Sequence, residues 1–349
     1  MGKKKTKSFA PATAQNKTGG KYLPFVSICT PTFNHRPFIP TMFKCFLNQT
    51  YPKDRMEWII VDDGTDPIED LIATSGISQI KYFRESKKMP LGEKRNYMHK
   101  KAKGSIIVYM DDDDYYPPER VAHAVETLMG NKEALCAGSS EMYLYFKHIG
   151  KMYQFGPYGP NHATAGTFAF KSRLLDDTKY DDAVALAEEK SFLKDYTVPF
   201  VQLDPLKTIL VFSHNHNTFD KRKLLDVPSP FVKESDKTVD MFIRKGGESD
   251  VKRFFMEDID ALLENYAAGL PENKPDVMQQ VKEVYDRLNQ QKNQAQPTDG
   301  QLGYITMQIN GGETVALSQA QVISLLQQQQ AEIDRLRAEV ERLSASAIK

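Results

Sequence analysis

Cysteine and tryptophan are scarce in this sequence, which has three cysteines and one tryptophan among 349 residues. Cys29, Cys45 and Cys136 lie far apart in the chain. This pattern fits neither a disulfide framework nor the paired spacing of a zinc site. The sequence therefore predicts a soluble protein of a reducing compartment, the cytoplasm, rather than a disulfide-stabilised secreted module.

Long apolar runs and an excess of one charge are also absent. No run approaches the roughly 18 apolar residues of a membrane-spanning helix, and residues 1–22 lack the apolar stretch of a secretory signal. These Lys-rich residues are predicted to form a disordered basic tail. The 46 Lys and Arg residues balance the 46 Asp and Glu residues. This balance argues against a protein that mainly binds the phosphates of a nucleic acid.

Short apolar runs alternate with helical patterns from residue 23 to residue 225. Four brief, β-rich runs predict buried strands: Phe25–Thr30, Glu57–Val61, Gln79–Phe83 and Ser105–Met110. Three segments between these runs predict helices: Pro37–Gln49, Ile68–Thr74 and Leu91–Ala102. This alternation predicts an α/β fold, with a mostly parallel sheet between helices. Such a sheet binds ligands at the carboxyl ends of its strands.

The sequence changes character after residue 225. Residues 226–298 contain the helical patterns Val251–Ala268 and Pro275–Gln290 and are predicted to form a helical extension. Residues 299–318 hold an Asn-Gly pair between alternating segments, which predicts a β-hairpin.

Residues 319–349 repeat in heptads and predict a coiled-coil oligomerisation segment. The two core positions are Leu326, Ile333 and Val340 at a, and Val322, Gln329, Leu336 and Leu343 at d. Ile and Val at a with Leu at d favour a parallel two-stranded coil, so we expect a homo-oligomer. Docking of this helix on its own domain and disorder are the alternatives.

Polar and acidic residues follow three of the four predicted strands. The first strand ends in Thr30–Asn34, the second in Asp62–Asp66 and the fourth in Asp111–Asp114. A turn or a helix N-cap explains the second group equally well. Four consecutive carboxylates repel one another, and burying them unpaired costs roughly several kcal/mol each. We therefore expect Mg²⁺ or Mn²⁺ at the third group, with a solvated acidic loop as the alternative.

The order and spacing of segments from Phe25 to about Thr218 resemble the family 2 glycosyltransferases of the GT-A fold, which use nucleotide-diphosphate-sugar donors. The resembling segments are Phe25–Asn34, Trp58–Asp66, Gly92–Asn96, Asp111–Asp113, Gly166–Phe170, Glu188–Glu189 and His214–Thr218. Within this set, Asp111–Asp113 resembles the Asp-x-Asp metal motif of the family.

The resemblance implies a donor site and a metal site. The residues implied for the nucleotide sugar are Thr30, Pro31, Thr32, Phe33, Asn34, Asp62, Asp63, Lys94, Arg95, Asp111 and Asp112. Asp62 or Asp63 would contact the nucleotide base. Asp111, Asp113 and His214 would bind Mn²⁺ or Mg²⁺, although His214 could instead be a hydrogen-bonded loop residue. The implied donor is a UDP- or GDP-sugar, and the implied acceptor is a glycan or another hydroxyl compound.

Glu188 and Glu189 resemble the acidic pair that contains the catalytic base of the family. Because neighbouring residues of a helix point about 100° apart, only one of the two can face the acceptor. The position in the motif favours Glu189. The alternative is that both are ordinary acids in the first turn of a helix, where they favour the macrodipole.

The resemblance thus implies an inverting, metal-assisted glycosyltransferase of the hexosyltransferase type. A nucleotidyltransferase is one alternative, but residues 30–36 do not form the Gly-rich basic loop expected for a triphosphate. The other alternative is a non-catalytic coiled-coil scaffold with a relic nucleotide-binding domain. The acids at every position that the resemblance requires argue against it.

Overall fold

The chain divides into two units, Met1–Val281 and Lys282–Lys349. The computed structural model describes residues 22–183, 189–217, 220–226, 229–244, 246–283 and 286, and the backbone of residues 305–308 and 314–317. The predicted tail up to residue 21 and the heptads of residues 319–349 lie outside these described residues. No helix among the described residues is long and apolar enough to cross a membrane.

The first half of the larger unit alternates strands with helices as the sequence predicts. Its elements are β1 (Val26–Thr32), α1 (Ile39–Leu47), β2 (Met56–Asp62), α2 (Glu69–Thr74), β3 (Ile80–Arg84), α3 (Leu91–Lys101) and β4 (Ile106–Tyr109). Each predicted strand overlaps an observed one, and the ends differ by no more than two residues.

The following elements are shorter. They are α4 (Arg120–Gly130), β5 (Cys136–Gly138), β6 (Met142–Phe146), β7 (Lys151–Phe155), β8 (Ala169–Lys171), α5 (Glu189–Phe192), β9 (Phe200–Gln202), β10 (Val211–Ser213), β11 (Val232–Glu234), α6 (Val239–Phe242), α7 (Ser249–Arg253) and α8 (Ile259–Glu264).

The main sheet has seven strands in the order β3-β2-β1-β4-β8-β5-β9. Strands β3, β2, β1 and β4 are parallel, whereas β8 runs antiparallel to both β4 and β5. The fold is therefore α/β with a mixed, mostly parallel sheet. A second sheet of four strands has the order β10-β6-β7-β11.

Both faces of the main sheet are buried. Successive residues of β2 alternate between two apolar clusters: Trp58 and Ile60 belong to one, Ile59 and Val61 to the other. The Trp58 indole stacks on Phe46 of α1, with ring centroids 4.5 Å apart. Burial on two faces explains why residues 58–61 of this strand form an uninterrupted apolar run in the sequence.

Residues 239–264 of the predicted helical extension pack into the same core as the sheet. A π-helical turn, Phe254–Asp258, joins α7 to α8, so the predicted helix Val251–Ala268 begins earlier, contains a bulge and ends at Glu264. The Phe255 ring stacks on Phe212 of β10, with centroids 4.5 Å apart. Residues 239–264 are therefore part of the larger unit.

Two short strands occur in the smaller unit. Strands β12 (Ile305–Gln308) and β13 (Thr314–Leu317) pair antiparallel, with Ile305 opposite Leu317. They lie in the segment predicted as a hairpin, while its Asn-Gly turn lies outside the described residues.

Candidate active site

A cleft opens at the edge of the main sheet where β1 and β4 end. Its walls come from the loops after these strands, from α3 and the residues before it, and from a segment near residue 275. The lining residues are Pro31, Thr32, Phe33, His35, Lys88, Met89, Leu91, Lys94, Arg95, Asp111, Asp112, Asp113, Lys274, Asp276 and Val277. The cleft lies at the carboxyl ends of parallel strands, as the topology requires.

The end of β1 and the residue after it form one wall through Pro31, Thr32 and Phe33. Thr30 lies beneath the cleft, where its hydroxyl donates to the carbonyl of Met110 over 2.6 Å and joins β1 to the end of β4. Asn34 has a left-handed backbone, φ 54°, which Asn tolerates better than most residues. Its side-chain oxygen accepts hydrogen bonds from the backbone N–H groups of residues 65 and 66 at 2.7 and 3.0 Å. Asn34 thus ties the loop after β1 to the loop after β2.

The two acids at the end of β2, Asp62 and Asp63, are hydrogen-bonded within the protein, and neither lines the cleft. The Asp62 carboxylate accepts hydrogen bonds from the Gly64 N–H at 2.9 Å and the Tyr82 hydroxyl at 2.7 Å. Asp63 accepts from the Met89 N–H at 2.6 Å and pairs with the buried ammonium of Lys94. Burial lowers the pKa of Lys94, and the charge of Asp63 opposes that shift. Both acids therefore shape the loop that borders the cleft.

Arg95 of α3 places a buried cation beside the acids after β4. Its guanidinium lies 4.3 Å from the centre of the Tyr109 ring, and its Nη2 lies 3.9 Å from the carboxylate of Asp111. Asp111 also lies against the turn at Gly166, because a Cβ added to Gly166 would lie 2.8 Å from Asp111 Oδ2. A larger residue at 166 would push the Asp111 carboxylate aside.

Three side chains in the cleft form a candidate metal-binding group: His35, Asp112 and Asp113, each offering one ligand atom within 4.8 Å of the other two. Asp112 Oδ1 lies 2.7 Å from His35 Nδ1. Asp112 Oδ2 is buried and has no hydrogen-bond partner in the described part of the chain. One imidazole and two carboxylates are ligands that suit Mn²⁺ or Mg²⁺. The donor set therefore fits a divalent cation.

His214 flanks this group. Its Nε2 lies 3.5 Å from Asp113 Oδ2 and 2.7 Å from Asn217 Nδ2, and burial lowers the pKa of His214 to about 4. Burial opposes ionisation of Asp113, but the hydrogen bond with His214 and the charge of Lys221 hold the Asp113 pKa well below its usual range. Burial and the Asp113 charge raise the pKa of Asp114 well above its usual range. Asp113 is thus the ionised member of this neighbouring pair.

Glu189 begins α5 and lies close to the acids. Its carboxylate accepts a hydrogen bond from the backbone N–H of Ala165 over 3.1 Å, and the next residue is the Gly166 that contacts Asp111. Glu188 lies outside the described residues.

The sequence did not single out every residue that lines the cleft. Seven of them were assigned no role in the site: His35, Lys88, Met89, Leu91, Lys274, Asp276 and Val277. The one available signal was the position of His35, directly after the Asn34 of the strand-end segment. Lys274 directly precedes the predicted helix of residues 275–290, and neither Lys274 nor its neighbours in that helix carry such a signal.

Comparison with known proteins relates the part of the chain that contains the acids to one family. The sequence profile described as glycosyl transferase family 2 matches residues 27–189. An uncharacterized glycosyltransferase of Rickettsia typhi is 31% identical over 116 residues, which cover 33% of this chain and 36% of the relative. The putative teichuronic acid biosynthesis glycosyltransferase TuaG of Bacillus subtilis is 30% identical over 125 residues, 34% of this chain and 47% of the relative.

The poly(ribitol-phosphate) beta-N-acetylglucosaminyltransferase TarS of Staphylococcus aureus is 28% identical over 105 residues, 28% of this chain and 18% of the relative. A crystal structure of TarS in complex with UDP-GlcNAc aligns with a TM-score of 0.46 at 16% identity, covering 84% of this chain and 99% of that one. The chain spans less than half the length of the curated relatives it matches. Residues 27–189, which hold the acidic group and Glu189, belong to glycosyl transferase family 2.

Proposed function

We propose that the chain is an inverting glycosyltransferase, which moves a sugar from a nucleotide-diphosphate donor to a hydroxyl acceptor. The observation that carries this proposal is the meeting of His35, Asp112 and Asp113 in a cleft that is also lined by cationic side chains. Acids of this kind can bind a divalent metal ion, and the neighbouring cationic side chains can face a polyanion. Together they suit a diphosphate leaving group.

The donor diphosphate would lie between the acidic group and the cations of the cleft. Lys88 and Arg95 line the cleft, and Arg95 is held by the Tyr109 ring and by Asp111. His35, Asp112 and Asp113 would hold Mn²⁺ or Mg²⁺. When bound, the cation would stabilise the negative charge that develops on the departing diphosphate.

Glu189 is the base in this proposal. The acceptor hydroxyl attacks the anomeric carbon on the side opposite the diphosphate, the bond to the diphosphate breaks, and the hydroxyl proton passes to the Glu189 carboxylate. The Ala165 N–H fixes one oxygen of this carboxylate at 3.1 Å, and we assign the proton to the other oxygen. The turn of residues 165 and 166 contacts both Glu189 and Asp111. This turn therefore fixes the position of the base relative to the acids.

The experiment is donor hydrolysis without an acceptor. The chain is incubated with Mn²⁺ and a panel of UDP- and GDP-sugars, with UDP-GlcNAc first because the relative TarS is named as an N-acetylglucosaminyltransferase. We expect slow release of the nucleoside diphosphate from one donor. Release of pyrophosphate from a nucleoside triphosphate and a sugar phosphate would instead indicate a nucleotidyltransferase. If no donor is hydrolysed and no donor gives a thermal shift, an enzymatic role is contradicted.

We also infer that the heptads of residues 319–349 make the protein a homo-oligomer. This inference rests on the sequence pattern alone, since these residues lie outside the described part of the chain.

A further inference from the structure

Residues 266–277, which we call the strap, lie against the loops that form the cleft. The strap follows α8 and contains two short 3₁₀ turns, Ala267–Gly269 and Pro271–Asn273. It falls outside residues 27–189, the part of the chain that matches the family. Its far end nevertheless lines the cleft through Lys274, Asp276 and Val277.

Three contacts hold the strap to the loops after β1 and β2 and to the residues before α3. The Tyr266 hydroxyl donates to Asp66 Oδ2 over 2.8 Å. The Asn34 side-chain amide donates to the Ala268 carbonyl over 2.8 Å. Lys88 Nζ donates to Asp276 Oδ2 over 2.6 Å. The strap is therefore held near both ends and in its middle by the loops after β1 and β2 and by the residues before α3.

At Gly269 the strap lies so close to the loop after β1 that there is no room for a side chain. A Cβ on Gly269 would lie 2.5 Å from His216 Nδ1 and 2.7 Å from the Asn34 carbonyl oxygen. Contacts below about 3 Å do not occur for real Cβ atoms. Position 269, where the strap packs against the loop after β1, therefore accommodates only glycine.

Lys274 places a buried ammonium at the acidic group. The residue is 5% exposed, and its Nζ lies 3.3 Å from Nε2 of His35, one of the candidate metal ligands. Lys88 and Lys94 also line the cleft, so three ammonium groups lie around it and repel one another. An anion bound among them would relieve that repulsion, and a diphosphate is the anion that the proposed function brings there.

We propose that the strap completes the donor site and that Lys274 binds the diphosphate of the donor. This inference rests on the proposed function and adds a binding residue from beyond the family domain. Lys274 provides a positive charge that the acidic group keeps in place before the donor arrives.

Binding of a nucleoside diphosphate to the full chain tests the proposal by calorimetry. UDP and GDP are titrated in Mn²⁺, and the one that binds is compared with its monophosphate. Lys274→Met keeps the length of the side chain and removes its charge. We expect this variant to bind the diphosphate about tenfold to a hundredfold more weakly, as for loss of a charged hydrogen bond, and to lose most of its preference over the monophosphate. Lys274→Arg should restore most of the affinity.

Glu272→Ala is the matched control, because Glu272 is exposed on the same strap. It should bind the diphosphate as the parent does. Hydrogen exchange on the parent chain gives a second measurement that needs no variant: the diphosphate should slow exchange in residues 266–277 more than the monophosphate does.

The outcomes separate the two proposals. If the parent binds neither UDP nor GDP, the proposed function is wrong and this inference falls with it. If the parent binds and a folded Lys274→Met variant binds equally well, the strap inference alone is wrong, and Lys274 is only a counter-ion of Asp112 and Asp113. Equal losses in Glu272→Ala and Lys274→Met, or unchanged exchange in the strap, would also overturn it.

Discussion

The backbone N–H of Ala165 donates a hydrogen bond to the carboxylate of Glu189 over 3.1 Å. The next residue, Gly166, allows the Asp111 carboxylate to approach, because a Cβ there would lie 2.8 Å from its Oδ2. Asp111 follows β4 and Glu189 begins α5, so a single turn relates two acids that are distant in sequence. This relationship gives the proposed base a fixed position beside the acidic cleft.

Glu189→Gln tests the proposed base. The amide keeps the size of the side chain and can still accept the hydrogen bond from the Ala165 N–H, but it cannot take the acceptor proton. We expect unchanged donor binding and transfer slowed by about 10²–10⁴-fold, the usual loss on removing a general base. Steady-state transfer and nucleotide affinity are measured on the same preparations.

Glu93→Gln is the matched control, since Glu93 is exposed on α3. Near-parental transfer by Glu189→Gln would place the base elsewhere. Asp181 and Asp182 are then the next candidates, and Asp182 is already held by the Asn96 side chain at 2.7 Å.

Asp113→Asn tests the metal assignment. Loss of one carboxylate from His35, Asp112 and Asp113 should weaken Mn²⁺-dependent binding of a nucleoside diphosphate by at least about tenfold, as for loss of a charged contact. The fold should remain intact, because the substitution removes repulsion between neighbouring acids. Titrations with and without Mn²⁺ measure the effect, and Asp54→Asn on an exposed acid is the control. Equal affinities of variant and parent in Mn²⁺ would show that Asp113 does not bind the metal.

The sequence was sufficient to predict the central strands because β1, β2 and β4 are buried on both faces and therefore are short and rich in apolar, β-forming residues. It also predicted that acids gather at one edge of the sheet, since parallel strands end at the same edge. The expected metal ligands were Asp111, Asp113 and His214. The structure instead groups His35, Asp112 and Asp113. The antiparallel strand β8 escaped prediction as a feature of the sheet, because the direction of a three-residue strand leaves no periodic signal.

The remaining parts of the site depend on contacts between distant residues. His35 meets Asp112 across 77 positions, and Lys274 meets His35 across 239 positions. Neither residue belongs to a motif or a periodic pattern, so only the folded chain brings them together. The contacts of Thr30 and Asp62 could not be predicted for the same reason. Thr30 donates to the Met110 carbonyl and Asp62 accepts from the Tyr82 hydroxyl, and a strand-end motif does not reveal either partner.

Deletion of Gln319–Lys349 tests the coiled-coil prediction. An isolated helix of this length is marginal in water, so a seam of Leu326, Ile333, Leu336, Val340 and Leu343 needs a partner. We expect the parent to be an oligomer and the shortened chain to be a monomer that still hydrolyses the donor. Light scattering that reports one oligomeric state for both proteins would refute the prediction.

Stability should fall below neutral pH in part because of His99. Its ring is buried between α3 and the sheet, and Nε2 lies 2.6 Å from the Tyr109 hydroxyl. Burial, with a smaller contribution from the charge of Arg95, lowers the pKa of His99 from 6.5 to about 3. Between these two values the unfolded chain binds a proton that the folded chain does not. The free energy of unfolding therefore decreases as the pH falls from 6.5 towards 3, by about 1.4 kcal/mol per pH unit for this one group.

His99→Gln isolates this contribution. The variant starts from a lower stability, because it loses ring contacts with Tyr109 and Phe170, but glutamine does not titrate. Urea unfolding at about pH 7.5 and about pH 5.5 should therefore show a pH-dependent loss that is smaller than that of the parent by about 1 kcal/mol. His148→Gln, at an exposed histidine, should keep the loss of the parent. Equal losses in the parent and in His99→Gln would mean that the folded protein protonates His99 as readily as the unfolded chain does, and the ring would then have to be accessible to water.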